Sequence, residues 1–453
     1  MHNYGLLTLV PAIAIIVMSI KTKRGIESLF LGSIIAYIIT DKWKWYSALV
    51  KDFFAVLTDY DNVWMLIVCG LFGSLIMLLN ETKGTYAIGR LFGKVCKGAK
   101  STLFASWFLG VLIFIDDYLS IMTISACMKK MSDKYKVPRE ALAYVVDSTS
   151  APVCTLIPFS AWAVFYAGVF YEMDQIKALG YGSALSTYLH VMPFIFYSLF
   201  AIIVVPAFAM GIFPALGAMK KAYQRTRETG KVYSKESEEL NQEEPASENQ
   251  GNLIDFLIPM GLLVIVTWIK DDLFLALVIS MASCIVLAVP RKLMTFSKAI
   301  DLIIKGFADL MPILLLIAAA LLLRKSQANL NLPEYVINHV LPYVNASTFP
   351  AVVVIVVSGL AFITASNWGI PAVCVPIIVP IASAVGANLL LVMAAIVSGG
   401  TFSSHACFYS DATALTSTSC GVNNMDHALT QIPYAMISLA FTVVCFLIAG
   451  FIF

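Results

Sequence analysis

A bilayer core is crossed by about 20 consecutive apolar residues in a helix, and this chain carries runs of that order near 5–20, 26–40, 63–80, 187–213, 253–269, 273–289, 303–323 and 428–453. Of its 453 residues, 59% are hydrophobic and only 13% are charged, too few to cover such runs in water. Lipid offers the backbone no hydrogen-bond partners, so each run must satisfy its own amides as a helix. The expectation is an all-α polytopic membrane protein. Threading the interrupted apolar stretches between the runs gives about ten transmembrane helices.

The net charge of +2 is too small to suggest nucleic acid as a partner. The basic residues gather instead in short loops: Lys21, Lys23 and Arg24; Lys83, Arg90, Lys94, Lys97 and Lys100; Lys129, Lys130, Lys134, Lys136 and Arg139; the hydrophilic stretch 217–252; and "RKLMTFSK" at 291–298. Counted as cytoplasmic, they orient a multi-pass protein of the cell inner (plasma) membrane with both termini outside. "MHNYGLLTLVPAIAIIVMSIKTKRG" puts its positive cluster after the apolar run, so it reads as a first helix rather than a cleavable leader. The nine cysteines lie mostly in apolar surroundings without C-x-x-C spacing, which fits small buried hydrophobes. No P-loop couples the chain to ATP, and nothing points to an enzyme.

Basic flanks on both sides of 101–128 cannot belong to one straight span. A re-entrant hairpin turning near Ile115–Tyr118 satisfies them, followed by a broken helix over 139–170, where Pro152 lacks an N–H and should open the chain near "DSTSAP". The later half has the same order: a hairpin over 349–386 with "ITASNWGIP" at its centre, then a broken helix over 388–420 through "SHACFYSDATALTST". This order predicts inverted repeats, 1–216 and 253–453, joined by a solvated cytoplasmic linker at 217–252 with no apolar period to bury. The segment 43–58, with Trp and Lys at helical spacing, is expected to lie in the membrane interface.

A carboxylate at the centre of a span costs about 2.5–3.5 kcal/mol on insertion scales. Asp116, Asp117, Asp147 and Asp411 all fall at that depth, and such residues persist where a cation neutralises them for part of a cycle. Adjacent helical residues point about 100° apart, so one of Asp116 and Asp117 should line a site and the other cap or brace the hairpin. Ser148, Thr149 and Ser150 add oxygens at the first break; Ser410 and Thr413 do so at the second, where His405 is a further candidate; Na⁺ is expected at Asp147, Ser150 and Asp411. His427 sits at a helix entrance, where capping is the expected role.

"IFIDDYLSIMTISACMKKMSDKYKVPREALAYVVDSTSAPVCTLIPFSAW" closely resembles the signature of the NhaC-type sodium/proton antiporter family within the ion transporter superfamily. "GGTFSSHACFYSDATALTSTSCGVNNMDHALTQIPYA" is similar to a second family pattern through His405, Ser410, Asp411, Thr413, Gln431, Pro433 and Tyr434, and "TASNWG" to a third through Ser366, Asn367 and Trp368. The chain departs where the family has an Asp before the histidine (here Ser404), a Ser-Pro pair (Cys407-Phe408) and a Thr after the Asp (Ala412). The resemblance implies an inverted-repeat secondary transporter, driven by an ion gradient and working by alternating access, with a homodimer as its assembly. Its cargo is an ion or a small molecule: Na⁺/H⁺ antiport, or Na⁺-coupled exchange of a small organic solute such as an amino acid or carboxylate. Na⁺ and/or H⁺ is the coupling ion, and no organic cofactor is implied. Trp368, Phe408 and Tyr409 are candidate walls for an organic solute. The alternative is a cation-selective channel, which needs a continuous polar pore.

Overall fold

The computed structural model describes residues 4–22, 25–241, 251–270, 272–330, 345–365, 367–408 and 410–453, and every element among them is helical. Unbroken helices long and apolar enough to cross a bilayer are Asn62–Thr82, Met311–Asn329 and Asn424–Ile452. The segment 389–420 has the length but is interrupted after Ala406. Other apolar helices, among them Ala99–Leu112, Ala161–Tyr171, Phe349–Thr364 and Gly369–Val385, are shorter. Short apolar helices are what hairpins and broken spans produce, because each arm crosses only part of the core.

The expected single span at 187–213 is a bent pair instead. Ala184–Phe194 and Phe196–Ala209 meet at 54° across the non-helical Ile195, directly after the tightened turn Met192–Phe194 in which Pro193 withdraws one amide from the ladder. The Trp45–Thr58 helix packs on Gly25–Asp41, with Tyr37 donating to Asp52 at 2.8 Å. A close helix pairing joins Tyr60–Thr82 to Phe296–Asp309: a Cβ on Gly73 would stand 2.1 Å from the Gly306 carbonyl oxygen, and one on Gly306 2.2 Å from that of Gly73. Ser74 donates to the Ile303 carbonyl at 2.8 Å across this contact.

Each of the two segments expected to form hairpins is a pair of packed helices joined by a break. In the first, Ala99–Leu112 and Asp117–Lys134 flank a break at 113–116. The turn falls slightly before the expected Ile115–Tyr118 because Asp116 is the N-cap of the returning arm and accepts from the Leu119 amide at 3.0 Å. In the second, Phe349–Thr364 turns through Ala365, at a left-handed φ of +53°, into Gly369–Val385. The first broken helix has two interruptions rather than one. Arg139–Ser148 stops at Thr149-Ser150, a short Ala151–Thr155 helix carries Pro152 in its first turn, and Ser160 caps Ala161–Tyr171 after a second gap containing Pro158. In the later half, Leu389–Ala406 breaks before Asp411–Cys420, which Ser410 caps by accepting from Thr413 at 3.1 Å.

The Asn424–Ile452 helix, 29 residues and roughly 43 Å long, measures the molecule end to end. At its start the Asn423 amide donates to Ser237 of the mid-chain segment at 2.8 Å; at its finish Phe453 meets Phe194 and Gly450 lies against Ser347. The first hairpin opens at the former end, where Tyr135 donates to the Cys96 carbonyl at 2.8 Å, and the second begins beside Ser347 at the latter. The two hairpins therefore enter from opposite ends. Arg139 and Arg225 also lie at the Ser237 end, which is called the linker end below.

The described part of the mid-chain segment is packed, contrary to the reading of 217–252 as wholly solvated. Gly217–Thr229 buries Met219, Ala222 and Thr226, a short apolar face hidden by the charged residues around it. Arg225 grips the buried Glu140 carboxylate through both oxygens at 2.8 and 2.9 Å. Asn241 donates to the Gly421 carbonyl at 2.8 Å, and Ser234 donates to Asp426 at 2.6 Å.

Candidate functional site

Asp147 ends the Arg139–Ser148 helix and is 1% exposed. Its Oδ2 accepts from Gln431 Nε2 at 2.7 Å, from His427 Nε2 at 3.0 Å and from Thr413 Oγ1 at 3.3 Å. Its Oδ1 is buried without a hydrogen-bond partner, as are His427 Nδ1 and Gln431 Oε1. His427 and Gln431 stand one turn apart on the Asn424–Ile452 helix, so they share a face. Gln431 also donates to the His405 carbonyl. His405 in turn meets Ser148 Oγ at 2.8 Å and Tyr197 OH at 2.7 Å. Two histidines, one carboxylate and a set of hydroxyls form a buried polar core with no lysine or arginine among its hydrogen-bond partners within the described residues. Arg324 pairs instead with Glu172 at 2.8 Å.

The second carboxylate group lies apart from the first. Asp411 opens the Asp411–Cys420 helix and is exposed. Tyr118 donates to its Oδ2, and Asn367 Nδ2 approaches Oδ1 at 3.3 Å. Asp116 and Asp117 stand close enough to Asp411 to act on it electrostatically. Asp116 caps the Asp117–Lys134 helix, whereas Asp117 is 2% exposed and its Oδ2 has no hydrogen-bond partner. The Trp162 indole nitrogen comes near Asp117 without closing a hydrogen bond, and its ring packs on Trp368 with centroids 4.1 Å apart.

These contacts cross between the halves. The first hairpin reaches the second broken helix through Tyr118 and Asp411, the second hairpin reaches the first broken helix through Trp368 and Trp162, and the two broken helices meet at Asp147 and Thr413. Of the sequence candidates, Asp147, Ser148, His405 and Thr413 come together, and so do Asp116, Asp117, Asn367, Trp368 and Asp411. The three residues expected to hold Na⁺ take different partners. Asp147 and Asp411 share no hydrogen-bond partner, and the Ser150 hydroxyl donates to the Asp147 carbonyl oxygen at 2.7 Å. Thr149 donates to the Val145 carbonyl of its own helix at 2.8 Å, and Ser410, the cap of Asp411–Cys420, donates to the Ser404 carbonyl of the preceding helix at 2.8 Å, so both hydroxyls are spent on backbone. Ser366 and Tyr409 lie outside the described residues.

His427 is the clearest correction: it faces Asp147, not the helix end. Its spacing of four from Gln431 is the signal that could have found it. Tyr118 and Trp162 were missed because their partners are more than 40 residues away in sequence.

An all-helical, membrane-embedded scaffold with broken helices and carboxylates at its centre defines a secondary transporter. The profile of the Na⁺/H⁺ antiporter family matches residues 170–451, and the chain belongs to that family. An uncharacterised protein of Haemophilus influenzae is 25% identical over 484 aligned residues, covering 98% of this chain and 91% of that one. Two solved transporters share the fold. MtrF of Neisseria gonorrhoeae, described as illuminating a class of antimetabolite efflux pumps, aligns with a TM-score of 0.58 at 13% identity over 89% of this chain and 83% of its own. The YdaH transporter of Alcanivorax borkumensis, described as having an unusual topology, gives 0.58 at 12% identity over 90% and 88%.

Proposed function

We propose that the protein exchanges Na⁺ for H⁺, with Asp147 as the carboxylate that holds each cation in turn. The observation that carries this reading is the partner set of Asp147: a threonine, a glutamine and a histidine, with one carboxylate oxygen unpartnered. A buried carboxylate fixed on arginine would be permanently neutralised. Neutral donors hold Asp147 in position and leave its charge for a mobile ion, while His427 can carry the proton that Na⁺ displaces. In this reading the chain has about ten spans and two re-entrant hairpins, arranged as inverted halves, with the linker end in the cytoplasm and both termini outside an inner membrane.

A second reading, Na⁺-coupled exchange of a small organic solute such as an amino acid or carboxylate, is favoured by the stacked Trp162 and Trp368 beside Asp117. Purified protein in liposomes separates the possibilities. Under the first reading, an imposed Na⁺ gradient moves protons in the opposite direction, saturably and without added solute, as reported by an enclosed pH dye. Proton movement that requires an added amino acid or carboxylate selects the second. A current that rises without saturation identifies a channel and overturns both.

A further inference from the structure

Asp411 lies ten residues from Gly421, whose carbonyl is held by Asn241 at the linker end. At 1.5 Å per helical residue it is roughly 15 Å deep, near the middle of a hydrocarbon core about 30 Å thick. Yet it is exposed, as are Ala414 and Thr418 at the following turns of the same helix face. The facing helix, Asp117–Lys134, shows a matching stripe: Met122, Ala126 and Lys130 are exposed below the half-buried Tyr118. The two stripes meet where Tyr118 donates to Asp411.

These faces do not suit lipid. The outward face of the closing helix presents Met436, Phe441, Val444 and Ile448 at half exposure or more, whereas here, apart from Met122, small and polar side chains (Ala126, Lys130, Ala414 and Thr418) lead to a carboxylate. A carboxylate facing hydrocarbon at that depth is unfavourable, so water must reach it. Behind Tyr118, Asp117 is 2% exposed, with an oxygen that has no hydrogen-bond partner, within electrostatic reach of Asp411.

We propose that the Asp117–Lys134 and Asp411–Cys420 helices line an aqueous path from the linker end, and that Asp411 with Asp117 forms a station for a monovalent cation on that path, separate from Asp147. The proposal rests on the transporter reading above but assigns a different site. Thr413, two residues beyond Asp411 and bonded to Asp147, connects the station to the buried core. The shared chemistry is a positive charge, carried by Na⁺ or by an organic ammonium.

The test is thiol labelling of the full chain in membrane vesicles of both orientations with an impermeant maleimide, using the unsubstituted protein as background. Ala414→Cys and Thr418→Cys should react from the linker end alone, about tenfold faster than Ile448→Cys on the lipid face, where a thiol stays protonated. NaCl, or methylammonium chloride if the station takes an organic ammonium, should slow labelling relative to choline chloride at equal ionic strength. That protection should vanish in the Asp411→Asn and Asp117→Asn backgrounds and persist with Asp147→Asn. Two separate aspartate backgrounds keep the test decisive if one variant fails to fold. Labelling no faster than at Ile448→Cys, or protection lost only with Asp147→Asn, overturns the proposal while leaving the antiport reading to its own flux assay.

Discussion

At the residue scale, the sequence marks the carboxylates and hides their partners. Gln431→Ala should lower stability by about 1–3 kcal/mol, because it strips donors from the Asp147 carboxylate and the His405 carbonyl in a buried setting. A thermal melt of the detergent-purified protein checks the direction. His427→Gln keeps an amide donor within reach of Asp147 but cannot titrate. It should fold and bind Na⁺ while its transport rate no longer follows pH as the wild type's does; an unchanged pH profile would remove His427 from the proton step. Asp116, Asp117, Asp147 and Asp411 were legible because a charge inside an apolar run has an energetic cost that composition alone reveals. His427, Tyr118 and Trp162 were not, since a histidine, a tyrosine or a tryptophan in an apolar run is ordinary until a distant segment folds against it.

At the element scale, breaks were easier to read than bends. Asp116 at an N-cap and Pro152 after three hydroxyl residues announce where the helices open, and the structure opens them there or within a few residues. The second gap before Ser160 and the 54° bend after Met192–Phe194 were missed because each hangs on one proline in a fully apolar run. Helix pairing was equally unreadable. Gly73 and Gly306 look unexceptional in sequence, yet they let two backbones touch. Gly306→Val should force those helices apart and cost about 1–3 kcal/mol or more. A melting temperature equal to wild type would mean that the pairing relaxes without penalty.

At the scale of the molecule, the all-helical, membrane-embedded class was legible and the packing of the mid-chain segment was not. Its charge suggested a solvated tether, but Arg225 holds Glu140 at the base of the first broken helix, while Asn241 and Ser234 hold Gly421 and Asp426 around the base of the second. Arg225→Ala should leave Glu140 buried without its guanidinium and lower the melting temperature; an unchanged melt would show that water replaces the pair. The account as a whole turns on Asp147 being neutralised by a travelling cation. It is tested most directly by Na⁺-driven proton movement in liposomes containing wild type or Asp147→Asn, with folding of both confirmed by size-exclusion profile. The account predicts saturable exchange for the wild type and none for the variant. Exchange at the wild-type rate in Asp147→Asn would contradict it.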